Sequence, residues 1–445
     1  MKSAQSASLT WSTRVIIWLY ELLWLLALPL VLLRLYWKGR VQAGYRENIL
    51  ERLGVYKKTP TGSVVWVHAV SVGETRACAP LVHALLQDGY QVVLTHMTPT
   101  GRATGADIFS NEIKLSRLQQ VYLPYDISYF VDAFLKAFTP QLGLIMETEV
   151  WPCLVIKSSQ AGFPLLLVNA RLSKKSARRV ARWGQVGSNI YGSFTQILAQ
   201  TALDATRYES LGLKNVTITG NLKFDVQSNP VQVDQALAFR KLLNPDLRIL
   251  CAASTRDGEE KLILQSWKEL LSKHPELANE ARLLVVPRHP QRFEEVYQEI
   301  SLQGLQVSKK SLLSSEQLAQ ALAEGQVILG DTMGEMAFYY ALSDAVVMGG
   351  SILPLGGQNF IEACALGRPI ILGEHTFNFQ QASHDAVEQE AAIRISDISE
   401  LSHVMAVLLS NHDLREKMSA NAIDFAGQHA GATQKILAVI RRYMK

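Results

Sequence analysis

Charge is scarce in this chain. Of 445 residues, 19% are Asp, Glu, Lys or Arg while 48% are hydrophobic. That balance excludes a large disordered portion, which would need many charges and few apolar residues. A formal net charge of +4 is too small to argue for nucleic acid as a partner. Cysteine is scarcer still: Cys78, Cys153, Cys251 and Cys364 are scattered among apolar neighbours. None has metal-ligand spacing, so they read as buried thiols in a reducing compartment. The ten histidines form no HExxH or paired pattern and no Asp-x-Asp occurs, so no metal is expected. No short-period repeat is present.

What is there exceeds one ordinary core: 445 residues predict two domains plus appendages. The N-terminus is one appendage. Residues 15–33 are apolar apart from Glu21, about the length that crosses a bilayer core as a helix. Trp11, Trp18, Tyr36 and Trp37 flank it, where amphipathic rings prefer the headgroup level. A cleavable signal peptide is the rival reading. The run is long for that, lacks a small-x-small exit, and is followed by Arg34, Lys38 and Arg40. An uncleaved anchor fits better. With Arg46 and Arg52 also following, against Lys2 and Arg14 before, the positive-inside rule puts the bulk of the chain in the cytoplasm. Glu21 and Pro29 leave open a helix lying in one leaflet.

Past the anchor, short apolar runs alternate with helical patterns. Runs at 63–70, 91–96, 121–123, 142–146, 165–168, 196–199 and 216–219 read as strands, with the first helix at 74–87. A polar shift at 221–230 ends this series. A second has strands at 248–252, 283–286, 327–329, 345–348 and 369–372, with helices from 401 onward. The repetition predicts an α/β protein with two doubly wound parallel sheets. Ligand would then bind in the crevice at the strand carboxyl ends.

Several strand-end segments carry candidate chemistry. Met348 through Glu362 joins an apolar run to a glycine-rich loop and a helix for which Asn359 is the expected N-cap. Free N–H groups and the helix dipole there would suit a phosphate, and Glu362 could accept ribose hydroxyls. Ordinary strand–helix corners also need glycines, so this loop alone decides nothing. Val70-Ser71-Val72-Gly73-Glu74 places a carboxylate at a helix N-terminus. It reads either as simple dipole complementation or as a general base for an attacking hydroxyl. Glu147 and Glu149 follow a buried strand, where carboxylates are costly unless they meet water, a cation or a ligand; spacing does not choose between them. Lys223, in Gly220-Asn221-Leu222-Lys223-Phe224-Asp225, could neutralise a phosphate or carboxylate. Arg288, in Val286-Pro287-Arg288-His289-Pro290, could fork onto phosphate oxygens. Gly330-Asp331-Thr332-Met333-Gly334-Glu335 forms a further glycine corner. Arg171, Lys174, Lys175, Arg178, Arg179 and Arg182 make a basic run with no acid in it. That run is either a solvated helix face or a stripe for anionic headgroups or a phosphorylated lipid.

Taken in order, these segments closely resemble the 3-deoxy-D-manno-octulosonic acid (Kdo) transferases of Gram-negative lipopolysaccharide synthesis. The series runs SVGE, His96-Met97-Thr98-Pro99-Thr100-Gly101, YLPYD, METE-WP, NARLS, NLKFD, PRHP, GDTMGE and GGxxxxxGGxNxxE. Any one member is weak; the whole series in one order is specific. The resemblance implies a GT-B fold, two Rossmann-like domains facing a central cleft, behind an N-terminal membrane-anchor helix. The implied domains are the anchor at 1–40, an acceptor domain at 41–225, a CMP-sugar domain at 226–425, and a C-terminal helix at 426–445 packing back on the first. It implies inverting, metal-independent transfer from CMP-Kdo to a lipid A precursor at the inner membrane, without a cofactor. By motif position Glu74 would be the base, with Glu147 and Lys223 supporting the transition state. Pro287, Arg288, Met333, Gly334, Glu335, Asn359 and Glu362 would line the CMP site. The alternatives are a GT-B transferase for another nucleotide sugar and a membrane-tethered nucleotide-binding scaffold without chemistry.

Overall fold

Runs such as Val64–His68 and Leu142–Met146 are apolar at every position, so both faces of the strands they form must be covered. The computed structural model describes residues 10–57, 60, 62–225 and 228–444. It resolves into two compact units, residues 1–226 with 430–445, and residues 227–429. Lys2, counted above in the charge balance around the anchor, lies outside the described residues, as does residue 226 at the expected domain boundary.

The first unit holds β1 (Val64–His68), β2 (Gln91–His96), β3 (Leu118–Tyr122), β4 (Leu142–Met146), β5 (Leu165–Ala170), β6 (Gln196–Ala199) and β7 (Val216–Ile218). All neighbours pair in parallel, in the order β3-β2-β1-β4-β5-β6-β7. Alternation along β1 divides the core: Val65 and Val67 pack on one face, Val64 and Trp66 on the other. The strand order reverses direction between β1 and β4, with Val67 opposite Leu144 and His68 opposite Ile145. Loops leaving these two strands diverge to opposite faces, and the gap between them is where such sheets bind ligands.

The second unit repeats the plan with β8 (Arg248–Thr255), β9 (Ala281–Pro287), β10 (Val307–Lys309), β11 (Val327–Leu329), β12 (Ala345–Met348), β13 (Ile370–Leu372) and β14 (Ala392–Arg394). Its order is β10-β11-β9-β8-β12-β13-β14, so its reversal lies between β8 and β12. Sequence pattern missed β10 and β14. Both are three-residue edge strands, partly exposed and carrying a lysine or an arginine, a design that blunts an edge and erases the apolar signal.

Two helices fall outside these series. Trp11–Val41 is a 31-residue helix, long and apolar enough to cross a membrane. At the other end, Ala432–Tyr443 buries Ala432, Ile436, Leu437 and Ile440 in the first unit's core beside Val65, Leu81 and Leu144. Asp225 caps this helix from a distance: its carboxylate accepts the backbone N–H of Gly431 at 2.6 Å, of Ala432 at 3.3 Å, and of Thr433. Those donors are orphans of a first helical turn, so the carboxylate satisfies them and the dipole together. Asp225→Ala is therefore expected to destabilise the first unit by about 2 kcal/mol. Urea unfolding, with faster amide exchange confined to residues 431–443, would show it.

Candidate functional site

Burial decides the chemistry at the end of β1. Ser71 caps the helix Val72–Gln87, accepting the Glu74 backbone N–H at 3.4 Å. The Glu74 carboxylate folds back, taking the Val70 N–H at 2.9 Å and the Ser71 hydroxyl at 2.7 Å. This is a capping box in outline, but Glu74 is only 9% exposed. Burial pushes its carboxyl up to about 7; the two hydrogen bonds oppose that shift, while the charges of Glu147 and Glu149 add to it. A carboxyl poised there is half ionised at neutral pH, the condition a general base needs.

Across the reversal, Glu147 leaves β4 with φ +52, a left-handed conformation costly for a side chain with a Cβ. Its Oε1 lies 2.8 Å from Lys223 Nζ. Lys223 is set by the short turn Leu222–Phe224, where Asn221 accepts the Lys223 N–H at 3.0 Å. Asn169, fully buried at the end of β5 with φ +54, accepts the Leu222 N–H at 2.9 Å. The structure thus brings Glu74, Glu147 and Lys223 to one region, and it adds Ser71 and Asn169 as positioning residues. Glu149 is turned differently: it accepts the Trp151 indole N–H at 2.9 Å, and burial raises its carboxyl despite that bond. Of the two glutamates, Glu147 holds the cation.

The second unit's candidates gather around its own reversal. Pro287 ends β9 and the Arg288 N–H bonds Thr255 O at 3.0 Å at the end of β8. Arg288 and Glu362 both act electrostatically on the buried Tyr340 hydroxyl, which burial pushes far upward. Glu335 precedes the helix Met336–Leu342, and its carboxylate takes Lys310 Nζ at 2.8 Å and the Thr332 hydroxyl. Met333 is half-exposed, and Gly334, at φ +81, turns its carbonyl to Gln232 Nε2 at 2.8 Å.

Two expectations for the glycine loop need correction. Asn359 is not the N-cap: the helix is Ile361–Ala365, with Phe360 in that place. Asn359 stands one residue earlier, accepting the Ile361 N–H at 3.2 Å and donating to Glu362 at 2.8 Å. Five residues carry little dipole. Nor are the loop's N–H groups all open to a ligand. Glu259, fully buried, accepts those of Gly350 at 2.6 Å, Ile352 at 3.0 Å and Leu353 at 3.3 Å, besides Arg256 at 2.9 Å. Gly349 is required because a Cβ would lie 2.4 Å from Ser254 O. Sequence reading passed over Glu259, although Asp257-Gly258-Glu259 after β8 is the same strand–glycine–carboxylate corner as Val72-Gly73-Glu74 after β1.

The basic run forms the exposed helix Lys174–Arg182, capped by Ser173 accepting the Ser176 N–H at 3.1 Å. Lys174, Lys175, Arg178, Arg179 and Arg182 all face solvent, while Arg171 precedes the helix and its carbonyl accepts the Tyr208 hydroxyl at 3.2 Å.

Comparison with known proteins agrees across the chain. Residues 47–226, which include Glu74, Glu147 and Lys223, match a family described as 3-deoxy-D-manno-octulosonic-acid transferase (kdotransferase). The 3-deoxy-D-manno-octulosonic acid transferase of Bordetella pertussis is 39% identical over 420 residues, 94% of this chain and 96% of that protein. Its counterpart from Haemophilus influenzae is 32% identical over 435 residues, 96% of this chain and 98% of that one. Among solved structures, a glycosyltransferase from Rickettsia africae superposes with a TM-score of 0.58 at 12% identity, covering 87% of this chain and all of that one; that likeness is one of fold.

The raised Glu74 carboxyl has a thermodynamic signature. Its folded value is about 7 against an ordinary 4.5, so in between the folded state keeps a proton that the unfolded chain gives up. Stability from this group is complete below the lower value and is lost as pH rises through the upper one. Glu74→Gln should therefore shrink the fall in unfolding free energy between about pH 5 and pH 8 by about 3 kcal/mol. Denaturant unfolding of both proteins across that range measures it.

Proposed function

Because the chain belongs to the 3-deoxy-D-manno-octulosonic acid transferase family, a family of glycosyltransferases, we propose that it moves Kdo from CMP-Kdo to a lipid A precursor, lipid IVA, with inversion at the anomeric carbon. Glu74 is the base. Its carboxylate takes the proton from a glucosamine hydroxyl of the acceptor as that oxygen bonds to the anomeric carbon of Kdo. The bond from the same carbon to the CMP phosphate oxygen breaks, and CMP departs from the opposite face. The observation that carries this reading is the Glu74 carboxyl at about 7, held by the Val70 N–H and Ser71 hydroxyl and adjoined by the Glu147–Lys223 pair.

Positive charge is needed where negative charge develops. Lys223 meets the Kdo carboxylate and Glu147 keeps the ammonium in place. In the second unit Pro287, Arg288, Met333, Gly334, Glu335, Asn359 and Glu362 hold CMP. Arg288 stabilises the departing phosphate and Glu362 accepts ribose hydroxyls. The scheme needs neither a metal nor a cofactor, since side-chain cations balance the leaving group. We place the enzyme at the inner membrane with both units on the cytoplasmic side, from the five basic residues that follow the apolar stretch. An acceptor that stays in the bilayer explains why a transferase would be anchored there.

A base must be ionised to act, so the rate is expected to fall as pH drops through about 7, the Glu74 value. Glu74→Gln should lose about 10²- to 10⁴-fold in kcat while CMP affinity, read by calorimetry, is unchanged. Normal turnover by that variant would remove Glu74 from the mechanism. Donor identity is separable: purified enzyme with lipid IVA should yield a Kdo-lipid by mass spectrometry from CMP-Kdo, in the presence of EDTA, and nothing from UDP-sugars. Transfer from a UDP-sugar alone would make it a transferase of other specificity.

A further inference from the structure

The helix Trp11–Val41 is apolar around most of its circumference, but one stripe is occupied. Positions 13, 17, 20, 21 and 24 share a face at helical spacing, and each meets the first unit. Thr13 is fully buried and its hydroxyl accepts from Asn189 Nδ2 at 2.9 Å. Ile17 packs on Ile156, Val186 and Ile190. Tyr20 hydrogen-bonds Asp126, itself buried and holding the Cys153 and Leu154 N–H groups at 3.0 and 2.7 Å. Glu21 accepts the Ser128 N–H at 2.7 Å; the helix Ser128–Phe138 has no side-chain cap of its own, so Glu21 supplies one from another helix. Trp24 stacks on Tyr125 with ring centroids 5.5 Å apart. Farther along, Leu35 and Gly39 are buried, and Arg46 reaches back to Tyr36 O at 2.9 Å.

The clamp therefore runs from Thr13 to Trp24, about 17 Å at 1.5 Å per residue, along the apolar stretch that would have to span. A bilayer's hydrocarbon is about 30 Å thick. A spanning helix held this way would carry its partners into hydrocarbon, among them Asn189 and the part-exposed Lys157–Asp132 pair (2.8 Å) on the same flanking helices. Burying those polar and charged groups in lipid is prohibitive. Laid flat, the same helix keeps the part-exposed Lys157–Asp132 pair in contact with water and still buries its free side, where Trp18, Leu19, Leu22, Leu26, Leu30 and Trp37 are exposed.

Charge points the same way. The helix Gln185–Gly192, which supplies Asn189, Val186 and Ile190 to the clamp, also packs against the basic helix Lys174–Arg182. Among the described residues, Lys174, Lys175, Arg178, Arg179 and Arg182 make no ion pair. Lys174 and Lys175 occupy that helix's positive end, where a cation is unfavourable without an anion to meet it. Anionic phospholipid headgroups would supply that anion.

We infer that the N-terminal helix does not cross the bilayer: it lies in the plane of one leaflet, clamped along the first unit, with the Lys174–Arg182 helix on anionic headgroups beside it. This rests on the membrane-bound reading above and separates from it by topology. The four native cysteines are buried, so introduced thiols report cleanly. Ser12→Cys, near the helix start, and Glu209→Cys, on the surface of the first unit, are expected to resist an impermeant maleimide in intact spheroplasts of a Gram-negative host. Both should react equally after lysis. A Thr13→Cys/Asn189→Cys pair should be joined by a short bis-thiosulfonate reagent in isolated membranes. Ser12→Cys reacting from outside, with the protein still in the membrane fraction, would overturn the in-plane helix alone. Failure of the Thr13–Asn189 cross-link in membranes would overturn the clamp. Recovery of the whole protein in the soluble fraction would overturn the membrane reading together with this inference.

Discussion

A carboxylate buried at the carboxyl end of a parallel strand is the constraint on which both units turn. Water no longer solvates it, so its charge must be met by N–H groups, hydroxyls or a cation, or else its proton stays on. Burial raises the carboxyl of both Glu74 and Glu259, but the two are supplied with different numbers of donors. Glu259 receives four backbone N–H groups and becomes the internal brace of a glycine loop. Glu74 receives one N–H and one hydroxyl, with two further glutamates nearby, and is left close to neutrality in its titration. The same residue type at equivalent corners braces a loop in one unit and, in the other, keeps a carboxyl that few donors meet.

Backbone strain occurs near these corners too. Glu147, Asn169 and Ser254 all adopt positive φ without being glycine, and they stand at or just past the carboxyl ends of β4, β5 and β8. Conformations of this kind persist only where the neighbourhood over-determines them. Asn169 is fixed by its bond to the Leu222 N–H, which sets the turn bearing Lys223; Glu147 is fixed opposite that same lysine. Ser254 lies against Gly349, where any side chain would collide with its carbonyl. Two of the seven non-glycine residues with positive φ among the described residues, Glu147 and Asn169, thus bear on the Glu147–Lys223 pair.

Much of this was legible in the sequence, and the failures have physical causes. Strands buried on both faces announce themselves as unbroken apolar runs, so β1, β4 and β12 could be read directly. Edge strands β10 and β14 could not, since they are three residues long, only partly buried, and carry a lysine or an arginine. Glu74, Glu147 and Lys223 were found because each follows a strand or closes a series. Glu259 was missed although its corner has the same grammar, because a buried acid reads as a surface one until its donors are known. The glycine loop was read as a cradle of free N–H groups; the donors are there, but a side chain 91 to 94 residues earlier claims three of them. Long-range hydrogen bonds leave no periodic trace.

The return of residues 430–445 to the first unit has a consequence for biosynthesis. Ile436, Leu437 and Ile440 are core residues of a sheet whose strands leave the ribosome more than two hundred residues earlier. Until residues 432–443 emerge, that sheet keeps an open apolar strip against Val65, Leu81 and Leu144. The intervening unit is one continuous segment and can mature first. The half that appears first is thus completed only after the second unit, and during that interval the strip is exposed apolar surface of the kind that makes a nascent chain prone to aggregate.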